Sequence, residues 1–177
     1  LTYKTRPGGR LLQAVRVHGY YTRVDHFMTD ELRTSGEGKP RPYSMASQAE
    51  TQSTGARVEA DLGVVTVGVE AVRREWEVAT RMAGMSYMPQ YAVPDVQVDS
   101  GGAYADLRRQ LSGTLLLAAG ARVDRVSSRA DETLAPTSLY WAYHSTRQTS
   151  ATDTLPSGNL RLVWTPTASV ELSMGVG

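Results

Sequence analysis

The sequence alternates apolar and charged residues with a period of two over most of its length. In "TGARVEADLG", Ala56, Val58 and Ala60 share one parity, whereas Arg57 and Glu59 share the other. Successive side chains of a β-strand point to opposite faces, while a helix would need apolar residues three and four apart. The same alternation recurs in "VVTVGVEAVRREW", "GTLLLAAGARVDR", "NLRLVWT" and "ASVELSMGV". The chain is therefore predicted to be all-β, with two-faced strands.

The connections between these strands alternate between short and long. Short turns are predicted at Pro7-Gly8-Gly9, Leu62-Gly63, Leu111-Ser112-Gly113 and Pro166-Thr167-Ala168. Long connections, rich in Ser, Thr, Gly, Pro and charge, are predicted at 30–51, 80–102 and 129–156. This alternation predicts an antiparallel up-and-down meander in which neighbours in sequence are neighbours in space. It is typical of the wall of a transmembrane β-barrel, with short turns on the periplasmic side and long loops outside.

A soluble lipocalin-like barrel or a sandwich would show the same alternation, because the pattern does not reveal which face meets water. Two features favour the membrane. Small residues on the apolar parity would leave a packed core full of holes, but they suit a lipid-facing surface. Tyr21, Trp76 and Trp164 fall near strand ends, where the aromatic girdles of membrane barrels belong. The opposite parity carries charges that are predicted to form a solvated wall paired across strands: Arg57, Glu59, Asp61, Glu70, Arg74, Asp106, Arg108, Arg122 and Asp124.

Composition and motifs exclude several classes of function. A net charge of +1 over 177 residues argues against nucleic-acid binding, and the absence of cysteine excludes disulfides and thiolate zinc sites. The N-terminus does not read as a signal peptide, and no apolar run of about 18 residues predicts a transmembrane helix. The sequence contains no Gly-rich phosphate loop, no Ser-His-Asp arrangement and no HExxH motif. The chain is therefore not expected to be an enzyme.

The number of strands predicts that residues 1–177 are a fragment of a larger barrel. The pattern contains about seven strands, preceded by the tail of an earlier one at Leu1–Thr5. The last strand reaches Gly177 without a terminating turn. An open sheet edge leaves backbone groups unpaired, which lipid does not tolerate.

His26 and Met28, in "VDHFMTD", form an HxM pair that could bind copper. Residues two apart on a strand share a face, and a thioether favours Cu(I) while imidazole suits copper in either oxidation state. Their parity with Arg16 and His18 places both in the lumen. His26 follows Tyr21, the last lipid-compatible residue of this strand, by roughly 16 Å at about 3.3 Å per residue. Because HxM is a short and common pattern, the spacing alone favours the alternative, a hydrogen-bonded lumen histidine beside a space-filling methionine.

The other methionines are concentrated in the predicted long connections. Of six methionines, only Met174 has the lipid-facing parity of a strand. Four are candidates for weak capture of a soft cation: Met45, Met82, Met85 and Met88. The alternative is that the loop folds over the barrel mouth and packs on these adaptable side chains.

Several segments together resemble the barrel of TonB-dependent outer-membrane receptors. They are "YTRVDHFMTDELR", "TQSTGARVEADLG", "AYADLRRQLSGTLLLAAGARVDRVSS" and "LPSGNLRLVWTPTASVELSMGVG", and the resemblance extends from about Tyr20 to the end of the chain. The hairpin segments are generic to the family. The "VDHFMTD" segment followed by a methionine-rich loop resembles the copper-receptor branch.

The resemblance implies a bacterial outer-membrane barrel of about 22 strands around an N-terminal plug. It implies copper, as Cu(I) or Cu(II), as the transported ion, with uptake driven by the TonB–ExbB–ExbD complex acting through the plug, which this chain lacks. The copper site would be shared between the HxM pair and a Cys/Met pair of the plug. The full-length receptor is expected to be monomeric. A receptor for another ligand, such as a ferric siderophore, and a soluble lipocalin-like binder are the alternatives.

Overall fold

The computed structural model describes residues 1–5, 11–30, 45–82 and 90–177. These residues form one eight-stranded sheet and a single short helix. The elements are β1 (Thr2–Thr5), β2 (Ala14–Thr29), β3 (Met45–Asp61), β4 (Val65–Met82), β5 (Gln90–Ser112), β6 (Leu115–Ala130), α1 (Thr137–His144), β7 (Ser150–Thr167) and β8 (Val170–Val176). Within the described ranges, no helix has the length and apolarity needed to cross a membrane.

The strands follow one another across the sheet in sequence order, each antiparallel to the next. The predicted meander is therefore confirmed, with β1 as the short strand that precedes seven longer ones. Tight turns join β3 to β4, β5 to β6 and β7 to β8 at the same end of the sheet. In the first of these turns, Gly63 has a φ of +89°, a left-handed conformation that glycine adopts without steric cost.

The strands continue well into the segments predicted as long connections, and in those spans the loop prediction was wrong. β3 begins at Met45, β5 at Gln90 and β7 at Ser150. Hydrogen bonds between strands do not require apolar side chains, so the ladder persists where the alternation of apolar and charged residues has ended. The hydroxyls of Ser47 and Thr80, for example, lie 3.0 Å apart across β3 and β4. We call this polar extension of β2–β6 the collar.

A bulge interrupts the collar between β4 and β5. Trp76 is paired with Val96, but Val78 is paired with Val93, so Pro94 and Asp95 together oppose one residue of β4. Proline has no N–H to give to a ladder and is confined to edges and bulges, and Asp95 takes a φ of +42°. The free Pro94 carbonyl accepts a hydrogen bond from the Asp131 N–H at 3.0 Å. The bulge thereby anchors the segment that leads into α1.

The register gives the sheet two chemically distinct faces. On the apolar face, β4 carries Val65, Val67, Val69 and Ala71, and β6 carries Leu115, Leu117, Ala119, Ala121 and Val123. The opposite face, which we call the charged face, carries the paired side chains of β2–β6. Trp76 shares the charged face with Glu70, because Trp76 pairs with Thr51 and Glu70 with Arg57. Its predicted place in an outward aromatic girdle was therefore wrong.

Within the described ranges, neither face of the sheet is covered by another layer. The buried apolar residues of the described part are four alanines, and no large side chain is fully buried there. A soluble lipocalin-like barrel would have to bury its apolar parity in a packed core. Val69, Leu160 and Leu172 are instead 56%, 45% and 55% exposed. This arrangement fits a wall whose apolar face meets lipid.

Gly68→Ala is expected to destabilise the protein by about 1–3 kcal/mol, because the added methyl group would overlap the Tyr104 ring that lies over Gly68. Gly19→Ala is the matched control, since a Cβ there meets nothing nearer than the Gly55 carbonyl oxygen at 3.9 Å. Its effect should stay within about 0.5 kcal/mol. Urea unfolding of the full protein in detergent micelles measures both variants. Equal losses would show that Tyr104 is not held against Gly68.

The register of the collar can be tested with introduced cysteines, since the chain has none of its own. Ser47→Cys combined with Thr80→Cys should form a disulfide on mild oxidation, because these residues are paired directly across β3 and β4. Ser47→Cys combined with Val78→Cys is two residues out of register and should remain reduced. Mass spectrometry of the digested protein distinguishes them. If both pairs cross-link equally, this end of the hairpin is not a fixed ladder.

Candidate functional site

A tyrosine held between two arginines lies at the centre of the charged face. The guanidinium carbons of Arg57 and Arg122 are each 5.7 Å from the Tyr104 ring centroid, one from β3 and one from β6. The Tyr104 hydroxyl donates a 2.5 Å hydrogen bond to Oε1 of Glu59. Gly68 leaves the space in which the ring lies. Tyr104 thus connects four strands through one side chain.

Ion pairs extend from this centre across β2–β6 in alternating sign. Arg16 Nε lies 3.0 Å from Glu59, Arg57 Nη2 lies 3.0 Å from Glu70, and Arg122 Nη1 lies 3.4 Å from the same Glu70 oxygen. The guanidinium of Arg122 also holds Asp124 in a two-point contact at 2.7 Å. The cross-strand pairing predicted for the inward charges is therefore present. Among the described residues, the predicted charges that make no ion pair are Arg74, Asp106 and Arg108.

The ion-pair network is partly exposed and suited to a water-facing wall. Its side chains are about one-fifth to one-half exposed, so each pair contributes only about 0–1 kcal/mol. Each carboxylate faces an arginine or the Tyr104 hydroxyl, and no nucleophile lies among them. Sequence reasoning identified the charges but missed Tyr104, whose position on the same parity as Asp106 was the available signal.

His26 and Met28 lie near the outer end of β2, within the collar. The register pairs His26 with Ala49 and Met28 with Ser47, which places both on the charged face. Met28 is 51% exposed. On the opposite face at this height, Arg23 is paired with Glu50 at 2.7 Å, so β2 has already left the apolar band.

The register also brings Met45 close to this pair. Met45 lies on the charged face two residues from Ser47, diagonally across from Met28, and such positions are roughly 7–8 Å apart. The backbone of Met82 is paired directly with Met45. Met85 and Met88 lie outside the described residues. In the described part of the chain, no three His, Cys, Asp or Glu residues gather into a metal-binding cluster. The HxM hypothesis therefore stays a prediction.

A recess lies beside α1, at the collar end of the sheet. Its volume is about 630 Å³, and it is lined by Tyr91, Tyr140, Tyr143 and His144. Thr80 and Gln90, which lie on either side of the methionine-rich segment, also line it. The turn before α1 is fixed by Asp131, whose carboxylate accepts hydrogen bonds from the Thr133 hydroxyl at 2.6 Å and the Thr133 N–H at 2.7 Å. These bonds hold the pKa of the Asp131 carboxyl below its usual range.

Comparison with solved structures gives matches that follow the whole chain. The copper transporter OprC matches with a TM-score of 0.75 and 25% sequence identity, over 98% of this chain and 28% of that one. The FrpB iron transporter from Neisseria meningitidis (F5-1 variant) matches with a TM-score of 0.56 and 13% identity, over 98% of this chain and 26% of that one. The chain thus spans about a quarter of the length of these transporters. No curated protein matches it.

The family comparison covers every residue of the chain. Residues 1–177 match the family described as "TonB dependent receptor-like, beta-barrel". The barrels of this family lie in the outer membrane of Gram-negative bacteria. The apolar face of the sheet accordingly meets lipid, the charged face lines the lumen, and the tight turns lie at the periplasmic end. The chain belongs to the TonB-dependent receptor β-barrel family.

Proposed function

We propose that this chain is one part of the barrel of a larger receptor that binds copper ions and takes them up across the outer membrane. The observation that carries the proposal is the placement of His26 and Met28 on the lumen face of the collar. The similarity to the copper transporter OprC supports the same cargo. The coverage of about a quarter of that transporter supports a barrel completed by strands outside this chain.

The chemistry of the collar suits a soft metal ion. Imidazole and thioether are both ligands of Cu(I), and imidazole also binds Cu(II). Met45 approaches the same region from β3, so three side chains from two hydrogen-bonded strands can face one ion. Ligands on paired strands are held more rigidly than ligands on a loop, which favours tight binding.

The other steps of the transport cycle would involve a plug and further residues of this chain. A plug inside the barrel would supply the other ligands and receive energy from the TonB–ExbB–ExbD complex. Met82, at the end of β4, and Met85 and Met88, which follow it in the sequence, would capture the ion weakly. The charged face would then line its route, with three arginines and four carboxylates in one connected network.

A receptor for an iron complex is the main rival. The match to the FrpB iron transporter, at 13% identity, reflects the shared fold and does not favour iron over copper. Metal titration of the full receptor separates the two, since an iron-complex receptor would not need His26 and Met28.

In the full receptor, His26→Ala and Met28→Ala should each weaken copper binding at least about tenfold, because either change removes one of few protein ligands. The double variant should lose less than the sum of the two single losses, since the residues share one ion. His18→Ala and Met174→Ala are matched controls: His18 lies eight residues deeper on β2, and Met174 lies on the lipid face, 74% exposed. Titration with Cu(I) and Cu(II) measures each affinity.

Changes to Met82, Met85 and Met88 should have smaller effects on the affinity than changes to the HxM pair, because these methionines are proposed to capture the ion only weakly. An unchanged copper stoichiometry and affinity in the His26/Met28 double variant would contradict the proposal and leave the HxM pair as ordinary lumen packing.

A further inference from the structure

Asp30 is the one residue of the described part whose polar side chain is buried. It follows Thr29, the last residue of β2, and is only 7% exposed, whereas the carboxylates of the ion-pair network remain partly exposed. A buried carboxylate is costly unless hydrogen bonds compensate for the water that it has lost. The contacts of Asp30 therefore indicate what this residue does.

Asp30 and Met45 are joined by two hydrogen bonds at the start of β3. The Asp30 N–H donates to the Met45 carbonyl oxygen at 3.2 Å, and the Met45 N–H donates to Oδ1 of Asp30 at 2.9 Å. Met45 is the first residue of β3, so these bonds close the ladder just beyond the pair of Thr29 and Ala46. A hydrogen bond to an ionised carboxylate is stronger than one to a neutral group. Asp30 therefore fixes the backbone of Met45 at the outer end of the paired β2 and β3.

The position of Met45 matters because it lies close to the HxM pair. Met45 lies diagonally across from Met28 on the charged face and is 39% exposed, so packing alone constrains it weakly. The ladder to Met82 holds the backbone of Met45 on one side, and Asp30 holds it on the side that faces β2. A metal ligand must be kept close to its productive position, and the groups behind it supply that constraint.

We propose that Asp30 is a positioning residue of the copper site. Its buried carboxylate fixes the backbone of Met45, and Met45 contributes a thioether to the ion bound by His26 and Met28. Asp30 itself does not touch the ion. Because a thioether is a soft ligand, the contribution of Asp30 concerns Cu(I) far more than Cu(II). The inference rests on the proposed function and adds a residue that governs its preference for one oxidation state.

Three substitutions separate the hydrogen bond from the charge. Asp30→Ala removes the acceptor, whereas Asp30→Asn keeps an oxygen that accepts from the Met45 N–H and removes only the charge. Asp25→Ala is the matched control. Asp25 lies on the same strand but on the opposite face, where it is 3.4 Å from Arg23 and its side chain is 58% exposed.

Titration of the full receptor, purified in detergent, with Cu(I) and Cu(II) measures the effect. The Cu(I) affinity of Asp30→Ala should fall about tenfold, a loss typical of a residue that orients a metal ligand. The Cu(I) affinities of Asp30→Asn and Asp25→Ala should stay within about threefold of the wild type, because the acceptor that holds Met45 is retained. The Cu(II) affinity of Asp30→Ala should also stay within about threefold, since imidazole binds that ion without the thioether.

A second set of measurements distinguishes positioning of Met45 from general disruption of the collar. In a Met45→Leu background, Asp30→Ala should cause no further loss of Cu(I) affinity, because both changes act on the same interaction. The disulfide between Ser47→Cys and Thr80→Cys should still form in the Asp30→Ala variant, because those residues are paired directly further along the ladder. Should Asp30→Ala fail to fold, Asp30→Glu takes its place and should show the same loss, since the longer side chain keeps the charge and displaces the acceptor.

Unchanged Cu(I) affinity in Asp30→Ala would overturn the proposal and leave the copper receptor standing. An equal loss in Asp30→Asn would also overturn it, since the carboxylate charge would then act on the ion directly. A further loss in the Met45→Leu background, or failure of the disulfide to form, would overturn it as well. A wild type that binds no copper, or whose affinity is unchanged in the His26/Met28 double variant, would instead contradict the proposed function, and the role of Asp30 would fall with it.

Discussion

Backbone hydrogen bonding in a medium without water is the constraint on which this structure depends. In hydrocarbon, each N–H and C=O group must find its partner within the protein, and a strand can do so only with its neighbours. The register from β2 to β7 meets this demand through the apolar band, with one irregularity between Gln110 and Ser112 beside the β5–β6 turn. Once the ladder fixes every residue on one face or the other, the remaining chemistry follows from parity. Lipid contact, lumen charge and the positions of possible ligands are all consequences of the same register.

The sequence predicted much of this arrangement, because alternation with a period of two follows directly from the way successive side chains of a strand point to opposite faces. Strand order and the separation of apolar from charged residues could be read from it, and the turns predicted at Leu62-Gly63 and Leu111-Ser112-Gly113 are correct to within one or two residues. The extent of the strands could not. Residues such as Ser47 and Thr80 carry no hydrophobic signal, and their pairing depends on a partner strand that single-sequence patterns do not reveal. The predicted position of Trp76 was wrong for a related reason. The prediction used the nearness of Trp76 to a strand end and did not use its parity, which places it on the charged face.

In the candidate sites too, relations within one strand could be predicted from the sequence, whereas contacts between strands depend on the register. That His26 and Met28 share a face follows from their spacing, whereas the approach of Met45 required the pairing of β2 with β3. The charges of the lumen wall were evident in the sequence, but not that Arg57 and Arg122 would lie on either side of the Tyr104 ring. The short α1 was also unforeseen, since its eight residues lack a strong amphipathic pattern.

The collar has a consequence for how such a receptor can diversify. Because the strands remain paired beyond the apolar band, the connecting segments begin on a rigid ladder and not at the lipid surface. Substitutions and insertions at the tips are therefore mechanically separated from the part of the sheet that must satisfy the membrane. The part of the sheet that meets lipid can therefore keep its sequence while the segments beyond the collar are replaced.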